Sequence, residues 1–430
     1  MRIILFSLGS RGDIQPILAL ASRLNREGHT AVVSSSPDFA ELAASHGIEY
    51  APIGPSLTTI GDAEEISKIV ESGNILKLIL YGRKIRNMQS NIVQQCIQES
   101  WQVAQGADAI LYKPSAAIIG YNIAEKLGIP CAELALFPVY RTRVFPSFML
   151  GGGKNRGPLL NDLFWRLSEL LFWQLMQRGT ANRQRREILD LPPLPLSGPY
   201  QQQEREGMPV FNAYSPSVLP RPADWPARMH VTGYYFSAPP TDWQPPAELV
   251  EFLRSGPPPV CIGFGSMPIH NVEEKIRMVV KALMLSGQRG ILISGWTTIK
   301  KSISLPDDVI RVESIPHSWL FPRMAAVVHH GGAGTTAASL RSGVPTIITP
   351  FAADQPAWGQ RVYTLGVGPK PIPFKKLTAE GLAAAIREAV TNPEIQKRAR
   401  ELGQRIQAED GPGRTIELFF QYIEQFRRLK

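Results

Sequence analysis

Short runs of consecutive apolar residues recur along this chain, each followed by a longer segment whose apolar positions return every three or four residues. Ile3 to Leu8 reads as a buried strand, Ile14 to Glu27 as a helix ended by Gly28, and Thr30 to Ser34 as a second strand. Ala109 to Tyr112 and Cys131 to Phe137 read as strands flanking a helix over Ala116 to Leu127, which Gly128 closes. The rhythm breaks from about Pro192 to Pro259, where Pro192-Pro193, Pro239-Pro240, Pro245-Pro246 and Pro257-Pro258-Pro259 crowd together, so the interdomain linker is expected there. It restarts with strands at Val260 to Phe264, Gly290 to Ser294, Val309 to Val312, Ala325 to His329 and Thr346 to Thr349. Helical pattern resumes from Thr378, and Arg414 to Leu429 predicts a C-terminal helix. Strands alternating with helices imply right-handed βαβ units and parallel sheets. The expected architecture is α/β, with two Rossmann-like doubly wound domains in tandem over residues 1–225 and 226–410. A last helix, 411–430, packs back towards the first domain.

At 430 residues the chain exceeds one ordinary core, which agrees with two domains. Cys96, Cys131 and Cys261 are far apart and show no metal-ligand spacing, pointing to a reducing, cytoplasmic setting. No apolar run approaches a spanning helix, and the start is too short for a leader's apolar region. The net charge of +9 favours anionic partners, but the basic residues are scattered, which argues against nucleic acid.

Two glycine-rich loops stand where strands feed helices, the place at which open α/β sheets bind ligands. One is Ser7-Leu8-Gly9-Ser10-Arg11-Gly12-Asp13. The other is His329-His330-Gly331-Gly332-Ala333-Gly334-Thr335-Thr336. In the second, small residues let the backbone approach a diphosphate, helix-start N–H groups donate to it, and His330 can add a charge-assisted bond. Gly263-Phe264-Gly265-Ser266-Met267 should face the same crevice. Tight βα turns alone would also explain any single one of these loops. Neither the dinucleotide fingerprint nor a P-loop occurs. Asp13 can be read as a general base or as the cap of the Ile14 helix. Asp354-Gln355-Pro356 can be read as an ordinary helix start.

Over nearly its whole length the chain resembles the inverting GT-B glycosyltransferases, above all the sterol 3-beta-glucosyltransferases and the antibiotic glycosyltransferases. The resemblance is densest in Ile315-Pro316-His317-Ser318-Trp319-Leu320-Phe321-Pro322 and from His329 through Gly343-Val344-Pro345 to Pro350-Phe351-Ala352-Ala353-Asp354-Gln355-Pro356, then in Leu365-Gly366-Val367-Gly368-Pro369. Gly9-Ser10-Arg11-Gly12-Asp13-Ile14-Gln15-Pro16 is similar to the sterol and antibiotic branches. The resemblance implies an acceptor-binding first domain, a nucleotide-sugar-binding second domain and a cleft between them. It implies that His330 and the amides of Gly332, Ala333, Gly334 and Thr335 hold the donor diphosphate, with Ser266 on the phosphates. Asp354 and Gln355 then hold the sugar, while Ile315 and His317 meet the uracil. Ser10, Arg11 and Gly12 add to the donor-binding site from the loop around Asp13, which takes the base role where plant relatives have histidine. Plant relatives also have a tryptophan where Ser314 falls, so base stacking differs here.

The implied activity is metal-independent transfer of a hexose, glucose from UDP-glucose, to a hydroxyl of a lipophilic acceptor. No cofactor is expected beyond the UDP-sugar co-substrate, and no Asp-x-Asp pair offers a metal site. A sugar-nucleotide epimerase and a non-catalytic sugar-nucleotide binder are the alternatives on the same fold. Asn161 to Arg178 is apolar nearly all round a helical wheel and is flanked by Arg141, Arg143, Arg156, Arg183, Arg185 and Arg186. It is expected to be a buried helix, an acceptor wall, or a patch on an anionic membrane with Phe164, Trp165, Phe172 and Trp173 in the headgroup boundary.

Overall fold

The computed structural model describes residues 1–56, 90–149, 154–239, 243–265, 271–293 and 304–429. Ser266 lies outside the described residues, as do the side chains of Phe172, Leu175 and Met176. Two sheets are formed, and every strand pairing is parallel.

The first sheet contains β1 (Arg2–Phe6), β2 (Thr30–Ser35), β3 (Glu49–Pro52), β4 (Ala109–Tyr112), β5 (Cys131–Ala135), β6 (Val210–Asn212) and β7 (Met229–Val231). Their order across the sheet is β3-β2-β1-β4-β5-β6-β7. The second contains β8 (Val260–Gly263), β9 (Gly290–Ile293), β10 (Val309–Val312), β11 (Ala326–His329) and β12 (Thr346–Ile348), in the order β10-β9-β8-β11-β12. In each sheet the chain winds outward from its first strand and then returns to that strand's other side. The reversals, between β1 and β4 and between β8 and β11, open the crevices in which α/β folds take ligands.

Strands buried on both faces explain why β1 and β4 were legible as continuous hydrophobic runs, and β5 as one interrupted only by the buried Glu133. The proline-rich stretch is not a bare linker, because it contains β6 and β7. Both are three residues long, too short to show a period among the prolines around them. The C-terminal helix (Gly411–Leu429) sends Ile416, Phe419 and Ile423 into the core of the first sheet. Arg361 Nε donates to the Val218 carbonyl and Ser215 Oγ to Glu409, so the two halves are also tied by polar contacts.

Four helices matter for the site: α1 (Arg11–Arg26), α2 (Pro158–Leu171), α3 (Ala333–Arg341) and α4 (Gln355–Leu365). The apolar segment from 161 to 178 is α2 running into a π-helical turn over Phe172–Gln177. Of the placements the sequence left open, its tryptophans take the buried one: Trp165 and Trp173 are 2% and 3% exposed, which removes them from a headgroup boundary. The Trp165 indole N–H donates to the Phe145 carbonyl at 3.0 Å, a partner that only the interior offers. Among the described residues no helix is long and apolar enough to cross a membrane.

Candidate functional site

Asp13 lies one turn into α1, whose N-cap is Ser10, so the cap position belongs to Ser10 and Asp13 is the third helical residue. Its Oδ2 accepts the Ser10 N–H at 2.7 Å and the Ser10 hydroxyl at 3.0 Å, the return half of a capping box. Its Oδ1 is ion-paired with Lys113 Nζ. Lys113 immediately follows β4, so the two partners come from the two sides of the first reversal point. The Lys113 side chain is 6% exposed and that of Asp13 33%. Burial pushes the Lys113 ammonium pKa down, and the Asp13 charge only partly restores it. Gly9 is indispensable to this arrangement: it adopts φ +142°, and a Cβ there would lie 2.4 Å from Asp13 Oδ2. Nothing in the sequence announced Lys113, since a lone lysine after an apolar strand is an unremarked pattern.

Across the cleft, His330 follows β11 at the second reversal point. Gly265 and Gly332 leave room for its ring, because Cβ atoms there would come within 2.9 Å of Cε1 and 2.5 Å of Nε2. Its Nδ1 has no hydrogen-bond partner among the described residues. Burial pushes its pKa down to about 4, so at neutral pH the imidazole is neutral, and a bond from its N–H to a diphosphate oxygen would be charge-assisted through the anionic acceptor. The adjacent His329 is 1% exposed, and its Nδ1 accepts the Gly331 N–H at 3.0 Å, which shapes the loop from inside.

Gly332 is the N-cap of α3, and the N–H groups of the first turn lie outside the helix's own ladder. The starts of α1 and α3 face each other closely, for a Cβ on Gly334 would be 3.8 Å from the Gly12 carbonyl oxygen. Arg11 reaches over the same gap, with Nη1 3.5 Å from Ser314 Oγ. Beside Ser314, Ile315 is buried and the His317 ring stacks on Phe321 at 4.3 Å. Burial, with Arg11 and His330 nearby, pushes His317 down to about 4 as well.

Asp354 occupies the cap position of α4 but makes no side-chain cap. Its Oδ2 instead accepts the indole N–H of the fully buried Trp358 at 2.9 Å. Burial raises its pKa to about 6, with the Asp13 charge acting in the same direction and Lys113 opposing. Gln355 is buried, and its Oε1 accepts the Phe351 N–H at 2.8 Å, so that end of the side chain shapes its own loop. One carboxylate with a cation behind it, a helix N-terminus with a neutral imidazole opposite, and a second, half-protonatable carboxylate thus share one cleft.

Comparison with known proteins agrees with this layout. Residues 3–146 match the glycosyltransferase family 28 N-terminal domain, and residues 292–419 match the C-terminal domain of erythromycin biosynthesis protein CIII-like proteins. A sterol 3-beta-glucosyltransferase of Cryptococcus neoformans var. neoformans serotype D is 33% identical over 99% of this chain and 27% of that protein. One from Neurospora crassa is 34% identical over 100% of this chain and 28% of that protein. The chain therefore spans less than a third of the length of these relatives. Among solved structures, the glycotransferase of kitacinnamycin superposes with a TM-score of 0.71 at 19% identity, covering 98% of this chain and 99% of that one. The glycosyltransferase VinC in complex with DTDP gives 0.65 at 19% identity, covering 99% and 100%.

Proposed function

Because the chain belongs to the GT-B glycosyltransferases, pairing a family 28 N-terminal domain with an EryCIII-like C-terminal domain, we propose that it transfers glucose from UDP-glucose to a hydroxyl of a sterol-like acceptor. The observation that carries this reading is the Asp13 carboxylate, fixed by Ser10 and Lys113 in the first turn of α1, whose start lies against the start of α3. In the proposed reaction the acceptor oxygen attacks C1 of the sugar while its proton passes to Asp13. The bond from C1 to the diphosphate oxygen breaks, UDP leaves on the opposite face, and the configuration at C1 inverts. Lys113, ion-paired with Oδ1, fixes the position of the base before attack. The free amides from Gly332 to Thr335, together with His330, receive the charge that develops on the departing diphosphate. Asp354 and Gln355 hold sugar hydroxyls, Ile315 and His317 meet the base, and Ser266 adds to the phosphate contacts.

The names of the fungal relatives support the sterol-like acceptor, and the bound DTDP of VinC supports a nucleoside diphosphate donor. An epimerase would act on the sugar nucleotide alone and would have no use for a base set to face a second substrate. The reading is tested by incubating the protein with UDP-glucose and a panel of hydroxylated lipids, and identifying glucosylated product and its anomeric configuration. Product should form undiminished in excess EDTA. Asp13→Asn should lower turnover by about 10² to 10⁴ while UDP affinity stays within a few-fold. Near-normal turnover in that variant would remove Asp13 as the base.

A further inference from the structure

Helix α2 has two opposite faces. Asn161 and Trp165 point into the protein, whereas Leu159, Leu160, Leu163, Leu167, Leu170 and Leu171 are between 38% and 81% exposed. At about 3.6 residues per turn these six fall within roughly a third of the helix circumference, on the side away from Trp165. Val144 and Met149, on the preceding segment, are also about half exposed, at 51% and 48%. A continuous leucine face of this kind is what interaction surfaces present and what ordinary soluble surfaces avoid.

The border of this face is basic. Residues 141–183 include seven arginines and lysines against two acidic side chains, Asp162 and Glu169. Asp162 is engaged by Arg166 at 2.8 Å and by Arg141 at 3.5 Å, and Glu169 accepts the Arg141 N–H. Arg143, Lys154 and Arg156 are exposed, and the Arg156 guanidinium lies 4.8 Å from the centre of the Phe164 ring.

We propose that this leucine face docks on an anionic lipid bilayer, the leucines entering the acyl boundary and the arginine border meeting the headgroups. A second copy of the chain is the poorer partner, because a two-fold pairing through this face would set one basic border against another. Anionic headgroups neutralise that border instead. The inner face of the same helix leads towards the proposed sugar site. The Trp165 ring lies 6.4 Å from Phe145, Phe145 lies 5.8 Å from Phe148, and Phe148 lies 5.1 Å from Trp358, whose N–H holds Asp354. Docking through α2 therefore sets the membrane at the outer end of a chain of four aromatic rings whose inner end is Trp358, the partner of Asp354. A lipophilic acceptor, on the reading above, then need not cross bulk water.

The test is co-sedimentation of the whole chain with phosphatidylcholine vesicles, with and without about one third phosphatidylglycerol. The protein should bind the anionic vesicles, and less so as salt is raised. The triple variant Leu163→Gln, Leu167→Gln, Leu170→Gln should lose about fivefold in partitioning for each half-exposed leucine, roughly 100-fold in all. Its UDP affinity by calorimetry should be unchanged, which also establishes that it folds. Wild-type binding by the triple variant would overturn the proposal, as would binding indifferent to lipid charge. A wild-type dimer that the variant converts to monomer would assign the face to a second copy and overturn it as well. The vesicle assay needs neither acceptor nor turnover, so it can fail while the transferase reading stands, and the reverse.

Discussion

Asp354→Asn should stabilise the protein at neutral pH while impairing its activity. The carboxylate is buried, accepts one hydrogen bond from Trp358, and has a pKa raised from 3.8 to about 6. A raised carboxylate pKa in the folded state is the reverse of the usual case. The unfolded chain releases this proton more readily, so ionisation favours unfolding, and the penalty grows as pH rises through the window from about 4 to 6. Two units correspond to about 3 kcal/mol at most, and solvent screening reduces that to roughly 1 to 2 kcal/mol. Asparagine keeps the shape and the acceptor oxygen for Trp358 but cannot ionise. For a domain of about 200 residues, each kcal/mol moves the unfolding midpoint by roughly 2 to 4 °C.

The measurement is thermal unfolding of both proteins from pH 4 to 8.5, read as the difference between them, which cancels every other titrating group. That difference should be near zero at the acid end, open between pH 4 and 6, and stay constant above. A difference independent of pH would mean that the carboxylate titrates at its ordinary value and that the burial argument is wrong. Turnover should move the opposite way, because the uncompensated charge that costs stability is also the one offered to the sugar hydroxyls.

Lys113→Met removes the cation that holds Asp13 Oδ1, so turnover should fall by roughly 10-fold or more with UDP affinity within a few-fold, and Lys113→Arg should restore turnover in part. Wild-type turnover in the methionine variant would remove Lys113 from the mechanism. Gly9→Ala places a Cβ where the Asp13 carboxylate sits, so turnover should fall by roughly 100-fold with UDP affinity within a few-fold; unimpaired turnover would show that the loop adapts. His330→Ala should weaken UDP and UDP-glucose alike in calorimetry, whereas Asp354→Ala should weaken only UDP-glucose, and equal losses of UDP affinity would contradict that division of labour.

What the sequence revealed and what it withheld follow from the range of the interactions concerned. The strands of both sheets that lie on either side of a reversal point are buried on both faces, so they stand out as unbroken apolar runs. Their loops are glycine-rich because backbone and side chains approach closely there, as at Gly9 beneath Asp13 and at Gly265 and Gly332 around His330. The partner of Asp13 stayed hidden because it is a hundred positions away and is set by the register of β1 against β4, which pairs Phe6 with Tyr112 and so brings Lys113 alongside. The neutrality of His330 was equally out of reach, because it depends on how tightly the remote turn at Gly265 and the loop at Gly332 close over the ring.

The hardest case was α2, whose apolar residues run nearly all round, so that periodicity could not say which side is in. Interface preference favours tryptophan at a membrane boundary, while a buried helix would take the same residues inside, so both placements stood open. A Trp165 indole N–H with a backbone carbonyl to bind decides for the interior. Leucine has no polar atom to satisfy and can sit on either side of such a helix at no hydrogen-bonding cost. That is why the leucine face carries no signature of its own in the sequence, and why it is legible only once Trp165 is seen to be anchored inside.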